Sequence, residues 1–159
     1  RQSLVGSEMC IRDSINIEMI DFYMQRSWAT VCDKDEYLNP HKHWQSNISF
    51  AYYLKKPQNS GNIVFSFNEN PNEIADKLFS YDKVQKGLLS DINNLNQSVF
   101  EIDALEDEIV IFPSKTAHST MRNLSNEDRI SISGDISIML KNSNQFEHLL
   151  PNPNFWQKF

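Results

Sequence analysis

The stretch Arg129 to Leu140, RISISGDISIML, alternates apolar and polar side chains through its first half. Successive side chains of a strand point to opposite faces, so Ile130 and Ile132 lie on one side and Arg129, Ser131 and Ser133 on the other. Gly134 is a candidate bulge before the alternation resumes. The same period runs through Asn47 to Leu54, NISFAYYL, which sets Ile48, Phe50, Tyr52 and Leu54 against Asn47, Ser49, Ala51 and Tyr53. Shorter β-branched or aromatic runs bounded by turn residues follow at Asn62 to Phe67 (NIVFSF), Ser98 to Ile102 (SVFEI) and Glu108 to Phe112 (EIVIF). Five or more strands separated by polar turns imply an all-β fold with minor helix, an antiparallel sandwich or barrel. Ile15 to Gln25 is assigned a helix packed outside the sheets.

Around these strands the 159 residues make one domain, long enough to bury a core. The domain is expected over residues 15–145, with an insertion at about 70–97 rich in Lys, Asp and Asn and a tail over 146–159 carrying Phe155 and Trp156. The insertion could cover the mouth of a barrel or simply decorate the surface, and the two tail aromatics could dock on the body. Residues 1–14, RQSLVGSEMCIRDS, have neither strand nor helix period nor a signal-peptide core. That string resembles translated sequencing-adapter read-through in frames assembled from environmental DNA. It is therefore excluded as a scar, the alternative being a disordered N-terminus, and the natural N-terminus is expected to be missing.

A net charge of -6 lacks the basic footprint that nucleic acid or an anionic membrane requires. No apolar run approaches the roughly 20 residues that span a bilayer. Two cysteines are too few for a disulfide scaffold, which points to a reducing compartment, the cytoplasm, with Cys32 as a core residue.

Three of the four histidines fall where a metal could use them. His41 and His43 form an H-x-H pair whose rings share a side if the stretch is extended, with Lys42 pointing away. His118 follows Phe112-Pro113-Ser114, where a strand ends. Two neighbouring ligands and a distant one are how jelly-roll metal sites are commonly built, although surface His pairs are also common. Arg129 and Ser131 share a strand face and together could hold a carboxylate, through a planar guanidinium fork and a hydroxyl. An isolated Arg at a strand start is otherwise a surface ion pair, here with Glu127 or Asp128. Tyr53 adds a phenol on the face of two small residues, Ser49 and Ala51, or sits as a core-edge tyrosine.

Taken together these residues resemble the Fe(II)- and 2-oxoglutarate-dependent oxygenases, and among them a group of small oxygenases from bacteria and phages. The resemblance runs from about Trp28 to Ser133. It is carried by Trp28-Ala29, Asn39-Pro40-His41-Lys42-His43, Ser49-Phe50-Ala51-Tyr52-Tyr53-Leu54, Phe112-Pro113-Ser114 ahead of His118, and Arg129-Ile130-Ser131-Ile132-Ser133. It implies a double-stranded β-helix, the cupin-like jelly-roll barrel. It also implies His41, His43 and His118 as metal ligands, and Arg129, Ser131 and Tyr53 as the clamp for the C5 carboxylate of 2-oxoglutarate. The activity implied is hydroxylation of a small molecule or peptide by Fe(II), 2-oxoglutarate and O2, with ascorbate as a reductant. His43 stands where the wider superfamily has Asp, and three-His sites also hold zinc. Glu106-Asp107-Glu108 stands where a glycine-containing turn is expected. Two other readings remain. A cupin would bind metal without 2-oxoglutarate, but usually adds a Glu soon after the pair, and Trp44 to Asn47 contain none. A metal-free β-sandwich binding module would require the three histidines to diverge in space.

Overall fold

Strand-forming residues dominate the computed structural model, which describes residues 15–67, 75, 78–92, 98–142 and 149–158. The expectations for residues 1–14, for 70–74, 76–77 and 93–97 of the insertion and for 146–148 and 159 of the tail lie outside these. The strands are β1 (Ile20–Cys32), β2 (Ile48–Lys55), β3 (Ile63–Ser66), β4 (Val99–Ile102), β5 (Ile109–Pro113), β6 (Ala117–Thr120), β7 (Arg129–Leu140) and β8 (Leu150–Pro151). A short helix, α1 (Tyr81–Gln85), falls within the insertion, and 3-10 turns occupy Ile17–Met19 and Pro153–Phe155. One sheet runs β1-β7-β2-β5 with β8 added beside β7, and the other runs β4-β3-β6. All pairings are antiparallel except that of β7 with β8. No helix among the described residues is long and apolar enough to cross a membrane.

The two sheets face each other as a sandwich rather than closing. Between them lie Ala51, Tyr53, Val110 and Phe112 from one sheet and Ile63 and Phe65 from the other. The Phe65 and Phe112 rings meet edge-on at 5.0 Å between centroids. The inward face of β2 is thus the less apolar one, with Ser49, Ala51 and Tyr53 buried and Leu54 exposed. β7 does the same, turning Arg129, Asp135 and Ser137 inward and leaving Ile130 and Ile132 half-buried on the outer face. At its far end that outer face gathers Ile20, Ile48, Ile138, Leu140 and Leu149 into a second apolar cluster.

Three local expectations are corrected. Residues 15–25 are a 3-10 turn followed by β1, not a helix, because Ile20, Phe22 and Met24 recur every second residue and pair with Leu140, Ile138 and Ile136 of β7. Gly134 is not bulged. The extra residues stand on the partner strands, between Met24 and Arg26 in β1 and between Tyr53 and Lys55 in β2. Gly134 is instead roofed by its register partner Phe50, whose ring carbons would lie 2.6 Å from an added Cβ. The tail joins the sheet through β8 rather than through its aromatics, since Phe155 and Trp156 are exposed. The Glu106-Asp107-Glu108 turn does require a left-handed residue, and Asp107 takes it at φ 64°.

Gly61 has φ 83°, and a Cβ there would stand 2.4 Å from the Met121 carbonyl oxygen. Gly61→Ala should therefore cost at least about 2 kcal/mol in urea denaturation, backbone strain adding to overpacking. Gly134→Ala, whose clash is with the end of the outer-face Phe50 side chain, should cost clearly less.

Candidate metal centre

The H-x-H segment is stitched to β6 and to the β5–β6 turn by main-chain bonds. His41 N–H donates to the His118 carbonyl at 2.9 Å and His118 N–H returns the bond at 3.0 Å, while His43 N–H reaches the Ser114 carbonyl at 2.9 Å. The backbone thereby holds all three histidines side by side. Ring centroids lie 5.2 Å apart for His41 and His43, 4.3 Å for His41 and His118, and 5.1 Å for His43 and His118. One ring nitrogen from each lies within 4.8 Å of the others, a cluster that could hold a metal ion. The histidines do not diverge, as a metal-free module requires. Lys42 turns away and lies over the exposed Trp44 ring.

Each ring uses Nδ1 for a fixed partner. Those of His41 and His118 face the carbonyls of Asn39 at 2.8 Å and Thr116 at 3.0 Å, and that of His43 faces Asp135 Oδ1 at 2.5 Å. Carbonyls and carboxylates only accept, so Nδ1 carries the proton, and a neutral ring so bonded has its lone pair on Nε2. Three anchored imidazoles with free lone pairs suit iron, nickel, copper or zinc, so the donor set fits the implied metal.

A cavity of about 50 Å3 is lined by His41, His43, His118, Tyr53, Arg129 and Ser131, so all six sequence-predicted residues open on one space. Arg129 is 3% exposed and has no carboxylate partner among the described residues. Its Nη1 donates to the carbonyls of Ser60 (2.5 Å), Gly61 (3.1 Å) and Met121 (3.3 Å), and its Nη2 to Thr120 Oγ1 (2.8 Å) and Cys32 Sγ (3.2 Å). Cys32 is buried, as expected; burial raises its thiol pKa against the opposing pull of Arg129. Ser131 pairs with Tyr53 across β7 and β2. Burial pushes the Tyr53 phenol up to about 12, opposed by Arg129, so it stays protonated and can donate.

A family model described as "Putative 2OG-Fe(II) oxygenase" matches residues 26–135, most of the chain. The chain belongs to this family. A comparison with curated protein sequences finds no match. Among solved structures, the chain is similar to a 2OG-Fe(II) oxygenase family oxidoreductase from Burkholderia pseudomallei, with TM-score 0.51 and 10% identity over 73% of this chain and 45% of that one. Weaker likenesses are to a Pseudomonas putida prolyl-4-hydroxylase (TM-score 0.45, 14% identity, 80% of this chain and 59% of that one) and to HygX from Streptomyces hygroscopicus. HygX was solved with nickel, 2-oxoglutarate and hygromycin B bound; its TM-score is 0.48 at 9% identity, over 72% of this chain and 55% of that one. The chain spans about half the length of these structures. The first likeness bears on the fold alone, and the fold is the double-stranded β-helix, or jelly roll.

Within this 2OG-Fe(II) oxygenase family member, sequence reasoning missed Asp135, Arg26 and Lys56. Asp135 is 0% exposed, and its Oδ2 accepts from Arg26 Nε at 2.7 Å. Burial raises its carboxyl, but hydrogen bonds from Ser49, His43 and Arg26 outweigh that and hold it below the usual carboxylate range. Lys56 lies over the Tyr53 ring at 6.0 Å with its ammonium 3.7 Å from Asp103, adding a cation near Arg129. Period-2 counting from Arg129 reaches Asp135 only if Gly134 adds no bulge between them.

Burial disfavours the His118 imidazolium and pushes its pKa from 6.5 down to about 4, which the bond to Thr116 only partly offsets. Between those values the unfolded chain binds a proton that the folded chain does not, so stability should fall as pH falls through that window. Asp135, depressed from 3.8, adds a further loss at lower pH. Urea midpoints of the metal-free protein should follow this course, and His118→Phe should flatten the upper limb; an unchanged slope in that variant would contradict it.

Proposed function

We propose that this protein is an Fe(II)- and 2-oxoglutarate-dependent dioxygenase hydroxylating a small molecule or peptide. The observation that carries the reading is a buried guanidinium without a carboxylate partner among the described residues, opening on the same cavity as three clustered imidazoles. A buried charge is costly unless paired, so the cavity favours an anion at Arg129.

In this reading His41, His43 and His118 hold the metal through Nε2. Arg129 holds the C5 carboxylate of 2-oxoglutarate, with Ser131 Oγ and the protonated Tyr53 phenol as further donors. A cavity of about 50 Å3 holds only a few waters, so cosubstrate binding displaces part of the lining. Arg129 accordingly exchanges carbonyl and hydroxyl partners for the carboxylate. Trp28, whose ring lies 5.6 Å from that of His43, lines the same cavity. When bound, Fe(II) with 2-oxoglutarate and O2 supplies oxidative decarboxylation to succinate and CO2 coupled to hydroxylation of a C–H bond. The chain's contribution is to orient the diacid and leave coordination positions open.

The metal-reconstituted protein with ascorbate should slowly consume O2 and release succinate. His118→Ala should abolish both, and zinc should inhibit. Arg129→Ala should weaken 2-oxoglutarate binding by about 30- to 5000-fold, the equivalent of roughly 2–5 kcal/mol, while retaining metal. An unchanged 2-oxoglutarate requirement in that variant would remove Arg129 from the clamp. Metal binding without any 2-oxoglutarate binding would favour the cupin reading.

A further inference from the structure

Asp135 receives every hydrogen bond aimed at it. His43 Nδ1–H donates to its Oδ1 at 2.5 Å, Ser49 Oγ lies 2.7 Å from the same oxygen, and Arg26 Nε donates to Oδ2 at 2.7 Å. Behind Ser49 the hydroxyls continue, with Ser49 and Ser114 at 2.8 Å and Ser114 and Ser46 at 2.9 Å. A hydroxyl has one proton to give and a carboxylate only accepts, so this chain has one direction: Ser46 donates to Ser114, Ser114 to Ser49, and Ser49 to Asp135. Asp135, Ser49 and Ser114 are each 0% exposed.

We propose that Asp135 is a positioning residue for the metal centre, supplying through the His43 ring the negative charge that three neutral imidazoles lack. The proposal rests on His41, His43 and His118 being the metal ligands. The bond from His43 Nδ1–H fixes the ring's tautomer and orientation and makes Nε2 a stronger donor toward a divalent ion. Arg26 does not cancel that charge, because its side chain is 57% exposed while that of Asp135 is 1% exposed. The centre thus keeps one carboxylate of charge, displaced from the metal by the width of an imidazole.

A merely structural Asp135, tying β7 to Arg26 of β1, would affect stability and leave metal affinity alone. Asp135→Asn keeps the shape and an oxygen acceptor for His43 but removes the charge. Titration calorimetry of the metal-free protein with Ni(II) should give a Kd about 10- to 100-fold weaker for Asp135→Asn than for wild type. Arg26→Ala, which removes the carboxylate's other partner, should stay within about threefold of wild type or bind more tightly. An Asp135→Asn Kd within about threefold of wild type, with native circular dichroism, would overturn the proposal. If that variant does not fold, nitrogen-15 NMR of the metal-free wild type decides. A proton on His43 Nδ1 with a bare Nε2 supports the assignment, and a proton on Nε2 overturns it. Wild-type protein that binds no Ni(II), or His118→Ala that binds it as tightly, instead sinks the three-histidine reading beneath.

Discussion

β7 is hydrogen-bonded on both sides, to β1 and to β2, and that double pairing fixes the direction of each of its side chains. Its register sets Asp135 opposite Arg26, Ser133 opposite Trp28 and Ala51, and Ser131 opposite Thr30 and Tyr53. A slip of one residue would turn Arg129, Ser131, Ser133 and Asp135 to the outer face and bring isoleucines in. The bulges that absorb the mismatch stand on β1 and β2, so β7 keeps its alternation unbroken between Arg129 and Asp135. One strand thereby presents a cation at one end of the inward row and an anion at the other.

The two buried charges meet different surroundings. Arg129 is ringed by carbonyls, a hydroxyl and a thiol, none of which carries the opposite charge. Asp135 is saturated with donors, one of them the imidazole of His43. The three histidines are held by short-range main-chain pairing between the H-x-H segment and β6, and each ring is turned by its own Nδ1 partner. Their arrangement is therefore set by the chain itself, and in the proposed reading this would lower the cost of gathering them around an ion.

The main strands were legible because period-2 alternation is a local property, and β2, β3, β4, β5 and β7 fall where the runs at 47–54, 62–67, 98–102, 108–112 and 129–140 place them. β1 was not, because Ile20, Phe22 and Met24 form an edge strand whose pairing with β7 is remote in sequence. The six proposed site residues were read from spacing and resemblance, and they share one cavity. Asp135 was hidden by Gly134. A glycine inside a strand commonly marks a bulge, which would have reversed the faces beyond it, whereas here the glycine makes room for the Phe50 ring. The partners of Arg129 could not be read at all, since Ser60, Gly61, Thr120 and Met121 come from loops and a strand brought together only by the facing of the two sheets.

The most direct test of the account is an anaerobic titration of the purified chain with Fe(II) and 2-oxoglutarate, followed by visible absorption. A weak charge-transfer band that needs both components, saturates at one metal per chain and disappears on replacing His43 with Ala is the expected result. Protein that demonstrably binds Fe(II) yet develops no such band and binds no 2-oxoglutarate at millimolar concentration would contradict it.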